Sequence, residues 1–60
     1  MSLVSTTAAT QTLIDDLREL VEALDRRVPR LERAGETAIA RDASRLRDEA
    51  VLRLANLEAR

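Results

Sequence analysis

The sequence predicts an all-α fold, an antiparallel two-helix hairpin that dimerises into a four-helix bundle. Large aliphatic residues recur at intervals of three and four on both sides of Gly35, which is the spacing of one face of a helix. Gly35 is the only glycine of the chain. The 60 residues include no cysteine and no histidine, so disulfides and the commonest zinc ligands do not stabilise this small chain. Self-association is the remaining way to enlarge its core.

The periodic residues define the predicted elements. We expect residues 1–9 to be a frayed N-terminal segment, followed by a helical hairpin over residues 10–60. The first helix is predicted over about residues 10–34, the turn at Gly35-Glu36, and the second helix over about residues 37–59. The apolar stripe of the first helix consists of Leu13, Leu17, Leu20, Leu24 and Leu31. That of the second consists of Ile39, Leu46, Leu54 and Leu57, with Ala43 and Ala50 between them.

Local signals mark the ends of both helices. Thr12 and Asp15 have the spacing of an N-terminal capping box, with aspartate in place of glutamate. Arg33 lies in the last turn of the first helix, where the helix dipole favours a cation. Gly35 is expected to adopt the left-handed conformation that ends helices, and Thr37 to cap the second helix.

Pro29 allows two interpretations, because a proline either begins a helix or interrupts one. In the first, Pro29 begins the second helix and the turn lies near Arg27. In the second, Pro29 only kinks the first helix and the turn lies at Gly35. The register favours the second interpretation, because a turn near Arg27 would place glutamates opposite the leucines of the first stripe. Pro29 then falls on the solvent side.

A second set of apolar residues runs along the edge of the first stripe. Ile14, Val21 and Val28 repeat every seven residues, and we expect them to remain in water in a lone hairpin. They form the predicted dimer seam, with Val21 against its own copy on a two-fold axis. This antiparallel register also brings Asp15 opposite Arg27 of the second copy.

Arginines concentrate around the predicted turn, and Arg26, Arg27, Arg30 and Arg33 form the densest group. One interpretation is inter-subunit pairing with the acidic first half of the helix. The alternative is a phosphate-binding patch in a small nucleic-acid-binding regulator. The net charge of −1 and the absence of aromatic residues favour pairing. Elsewhere, Arg53 is expected to project toward the core and to meet Asp16.

The composition argues against catalysis and cofactor binding. No histidine, cysteine or lysine is present to act as a base, nucleophile or soft metal ligand, and a single glycine cannot form a phosphate-binding loop. Neighbouring acids such as Asp15 and Asp16 point about 100° apart on a helix and do not converge. We therefore predict no catalytic, cofactor-binding or metal-binding residue, no membrane association and a cytoplasmic location. The predicted function is non-enzymatic self-association or an adaptor role.

In outline the chain resembles the Rop family of plasmid copy-control proteins. The resemblance covers residues 10–60 and rests on length, on the turn at Gly35 and on alternating layers such as Leu46, Ala50 and Leu54. No sequence motif of that family is present. The resemblance implies a dimeric four-helix bundle and, through the arginine cluster, recognition of nucleic acid.

Overall fold

The computed structural model describes residues 3–59, with side chains from Ala8 to Ala59. This range contains two helices and no strand: α1 spans Leu3–Arg33 and α2 spans Thr37–Glu58. The short turn folds α2 back along α1, giving a rod with dimensions of 50 × 14 × 14 Å. The predicted all-α hairpin is confirmed.

The start of α1 differs from the prediction, since the helix begins at Leu3 rather than near residue 10. Thr12 is therefore an interior residue, and its Oγ1 donates a hydrogen bond to the Ala8 carbonyl at 3.1 Å. Gln11 Nε2 donates to Asp15 Oδ1 at 3.2 Å, so Asp15 also bonds along the helix. The predicted capping box at Thr12 and Asp15 is therefore wrong. Residues 3–9 of the segment predicted to be frayed belong to α1, and Met1 and Ser2 lie outside the described residues.

The turn ends α1 as predicted. Gly35 has a φ of 78°, the left-handed region that glycine enters without a steric penalty. The Glu36 amide donates to the Leu31 carbonyl at 2.9 Å, and the Gly35 amide donates to the Glu32 carbonyl at 3.1 Å. These two bonds form a Schellman motif and satisfy carbonyls that the helix end leaves without partners.

Replacing Gly35 by alanine should therefore destabilise the hairpin by about 1 kcal/mol. A Cβ at this position meets no atom within 4 Å, so the cost is conformational rather than steric. Chemical denaturation of wild type and variant measures the difference. Gly35→Asn is the matched control and should cost less, because asparagine tolerates the left-handed region better than alanine. Stabilisation by alanine would contradict this assignment of the turn.

The start of α2 does not use the predicted cap. Glu36, rather than Thr37, is the N-cap residue, and no side chain caps the helix there. The Glu36 carbonyl accepts the first backbone bond, from the Ala40 amide at 2.9 Å. At the other end α2 stops at Glu58, close to the predicted boundary. Glu36 therefore both closes the Schellman motif of α1 and serves as the N-cap residue of α2.

Pro29 lies inside α1, which continues through it to Arg33, and its side chain is exposed. The interpretation in which Pro29 begins the second helix is thus excluded. Because proline has no amide hydrogen, the helical bond from position 29 to the Asp25 carbonyl is missing.

We expect Pro29→Ala to restore that bond, to increase the free energy of unfolding by up to about 3 kcal/mol, and so to raise the melting temperature. Thermal unfolding followed by circular dichroism measures the change. Arg30→Ala is a control for the neighbouring exposed position and should have little effect. A lower melting temperature for Pro29→Ala would show that the proline has a structural role in the helix.

The seam between the helices follows a regular heptad pattern. In α1 the buried and half-buried positions, apart from Leu20, are separated by alternating steps of four and three: Thr10, Ile14, Leu17, Val21, Leu24, Val28 and Leu31. In α2, apart from Ser44, they are Ala40, Ala43, Arg47, Ala50, Leu54 and Leu57. A spacing that averages 3.5 residues is typical of coiled-coil packing. Large side chains of α1 thus meet an α2 seam in which three of the six residues are alanines.

Candidate interaction surface

The residues predicted as a dimer seam lie on the inside of the hairpin. Ile14 is 8% exposed, and Val21 and Val28 are half-buried, although only one chain is present. The expectation that a lone hairpin leaves Ile14, Val21 and Val28 in water is therefore wrong. The heptad pattern places all three against α2, because Ala40, Ala43 and Ala50 let the helices approach closely on that side.

A different set of large apolar residues is exposed. Leu13 is exposed and Leu20 half-buried in α1, while Ile39 and Leu46 of α2 are 52% and 46% exposed. All four were predicted to lie in the core stripes. We call Leu13, Leu20, Ile39 and Leu46 the apolar face. Its position was missed because the core stripes were assigned by side-chain size rather than by heptad spacing.

Helix geometry places these four residues on one side of the hairpin. Leu13 and Leu20 each come one residue before a seam position of α1, and Ile39 and Leu46 one residue before a seam position of α2. One residue corresponds to a rotation of about 100°. Because the two helices face each other and run in opposite directions, the same rotation turns both pairs toward the same side. The apolar face is therefore continuous across the hairpin.

The opposite side of the hairpin carries ion pairs. Arg47 Nε donates to Asp25 Oδ1 at 2.5 Å and its Nη1 lies 3.5 Å from Asp48 Oδ1, while Arg18 Nη2 pairs with Glu58 Oε2. The hydrogen bond to Asp25 and the charge of that carboxylate raise the pKa of Arg47. Arg47 occupies a seam position, and the pair with Asp25 lets a charged residue sit there.

Arg53 was predicted to point toward the core, but its side chain is exposed. No ion pair joins it to Asp16, and both residues belong to the described range. That prediction is wrong, because Leu54 occupies the seam position and Arg53, one residue before it, lies on the side of the apolar face.

The four arginines singled out in the sequence, Arg26, Arg27, Arg30 and Arg33, are all exposed. None of them forms an ion pair with another residue of the described range. Arg26, Arg27 and Arg30 border an open groove of about 280 Å³, whose apolar part is formed by Leu20, Ala23 and Leu24. The groove thus joins the basic cluster to the apolar face.

No three acidic side chains of residues 3–59 come together as a set of metal ligands. Neither described helix combines the length and hydropathy needed to cross a membrane. A shallow groove beside the start of α2 is lined mainly by charged residues, including Glu32, Arg41 and Asp48.

No protein-family model, curated protein or solved structure matches this chain. The resemblance to Rop proteins thus rests on chain outline alone. The function of the apolar face and of the arginine cluster has to be inferred from the positions of their residues.

Proposed function

We propose that this chain is a non-enzymatic self-association module, and that two copies join through the apolar face to form a four-helix bundle. The observation that carries the proposal is the weak core of the single hairpin. Four residues of the described range are buried, Ile14, Leu24, Ala40 and Ala50, and none is less than 2% exposed. Two of the four are alanines, so the hairpin buries little apolar surface of its own.

The surface area and the radius of gyration of the single chain both exceed those of a compact protein of its mass. The chain exposes 4754 Å², whereas a compact monomer of 6.7 kDa exposes about 3,900 Å². The larger area follows from the elongated shape of a two-helix rod, which leaves one side of each helix in water. The radius of gyration of 14.5 Å also exceeds the ~10 Å expected for a compact domain of this length. A second hairpin laid on the apolar face would give a more compact assembly.

A nucleic-acid-binding regulator is the second candidate, favoured by the four exposed and unpaired arginines of the cluster. Counterion release makes arginine-rich surfaces effective phosphate binders. Against it, the net charge is −1 and the sequence contains no aromatic residue for base stacking. We therefore rank self-association first.

Sedimentation equilibrium at micromolar concentration tests the proposal, with an expected mass of two chains. A folded monomer would contradict it. A gel shift with a hairpin RNA and a duplex, at low and at moderate salt, tests the second candidate. We expect no shift at moderate salt. A salt-resistant shift that Arg26→Ala and Arg30→Ala remove would establish the nucleic-acid candidate.

A further inference from the structure

Charge is divided between the two ends of the hairpin. The half nearest the turn, residues 26–47, carries seven arginines and three acids, a net charge of +4. The opposite half, residues 3–25 and 48–59, carries eight acids and two arginines, a net charge of −6. The near-zero total therefore conceals a strong separation along a rod 50 Å long. We call these two regions the basic tip and the acidic end.

Two symmetric arrangements bring the apolar faces of two copies together. In one, both turns lie at the same end of the bundle, and each helix α1 packs on α2 of the other copy. The basic tips then lie side by side, as do the acidic ends. In the other, the turns lie at opposite ends, and each basic tip lies over the acidic end of the other copy. Both arrangements bury the same four residues, so charge decides between them.

We infer that the second copy packs with its turn at the opposite end of the bundle, so that α1 lies antiparallel to α1 of the other copy. This inference rests on the proposed self-association and adds its orientation. At separations near the ~8 Å Debye length of physiological salt, tip-on-tip contact is repulsive and tip-on-end contact is attractive. Electrostatic complementarity of this kind selects the orientation of partners more than it increases affinity.

A specific pair of residues fits this arrangement. Asp16 and Arg27 are both exposed and lie eleven residues apart, which is about three turns and about 16 Å. They therefore project on nearly the same side of α1, with Leu20 and Ala23 between them. A two-fold axis midway between Asp16 and Arg27 places Asp16 of one copy next to Arg27 of the other. The same axis packs Leu20 of one copy against the small Ala23 of the other.

The distance between the two turns tests the orientation directly. The chain has no cysteine, so a Glu36→Cys variant carries a single spin label per copy at the turn, where the Glu36 side chain makes no capping bond. At 1.5 Å per residue, Glu36 lies about 22 Å along the helix from the proposed axis, so turns at opposite ends are about 40 Å or more apart. Turns at the same end are within about 25 Å.

Double electron–electron resonance on the labelled protein should give the long distance. The short distance, or a mixture of both, in a sample that sediments as a dimer would overturn the orientation and leave the proposed self-association standing. A labelled and an unlabelled protein that both sediment as monomers would overturn the proposed function together with this inference. Sedimentation of the same samples therefore separates the two failures.

Charge exchange provides an independent test. Asp16→Arg and Arg27→Asp should each weaken the dimer by several-fold at low salt, and the double variant should recover most of the loss. Glu22→Arg with Arg33→Asp is the matched control, because these exposed residues have the same spacing but lie roughly 140–160° around α1 from Leu20. We expect no recovery in the control pair. Equal recovery in both pairs, or none in either, would overturn the Asp16–Arg27 contact.

Discussion

Replacing Leu20 and Leu46 by glutamine should convert the dimer into a monomer. Each leucine contributes about 1.5–3 kcal/mol when fully buried, and roughly half of that remains available at these partly exposed positions. Four such side chains in the dimer represent about 3–6 kcal/mol, or more than a 100-fold rise in the dissociation constant. Glutamine keeps the helix propensity and the charge unchanged, so the effect reports on the apolar face alone.

Leu52→Gln is the matched control for this double variant. Leu52 is 65% exposed and lies about 120° around α2 from Leu46. We expect sedimentation velocity to show a dimer for Leu52→Gln and a monomer for the Leu20→Gln, Leu46→Gln variant. A double variant that remains dimeric would exclude the apolar face. It would favour the side of the ion pairs, where Val51 is 38% exposed.

Leu24→Ala should destabilise the protein by about 2–5 kcal/mol, the usual cost of removing a buried leucine side chain. Leu24 is 6% exposed and is one of the two large residues in the core of the hairpin. A domain of this size loses roughly 4–8 °C of melting temperature per kcal/mol, so the variant should melt at least about 8 °C lower. Thermal unfolding at a fixed protein concentration measures the loss.

Leu52→Ala serves as the control for this truncation, because the same side chain is removed from an exposed position. Its effect should stay within about 0.5 kcal/mol. If the two truncations cost the same, Leu24 does not lie in a packed seam and the register of the hairpin is wrong.

The hairpin itself could be predicted from the sequence because its signals are local. Gly35 specifies the turn through its own backbone conformation, and helical periodicity on either side specifies two helices. The interpretation of Pro29 as a residue inside the first helix is confirmed, since α1 continues through it. The start at Leu3 was missed because the threonines at positions 6, 7, 10 and 12 each look like a cap, whereas Thr12 bonds backward within the helix.

The observed seam is rotated around each helix from the predicted stripe, because side-chain size is a poor guide to which side of a helix packs against a helix rich in small residues. The observed seam combines Leu17, Leu24 and Leu31 of the predicted stripe with Ile14, Val21 and Val28. Leu13 and Leu20 lie outside it. Ala40 and Ala50, at 3% and 4% exposure, let the two helices approach closely. Hydrophobicity gives alanine little weight, so it does not reveal that these alanines mark the seam. Arg47 also obscures the seam in the sequence, because a charged residue is not expected between two packed helices. The ion pair with Asp25, which only the structure reveals, explains its position.

The dependence of the melting temperature on protein concentration tests the central claim most directly. If folding and self-association are coupled, the melting temperature of the wild type should rise steadily over a 100-fold increase in concentration. The Leu20→Gln, Leu46→Gln variant should lose that dependence. A wild-type melting temperature that stays constant over the whole range would show that the hairpin is stable alone, and would contradict the account.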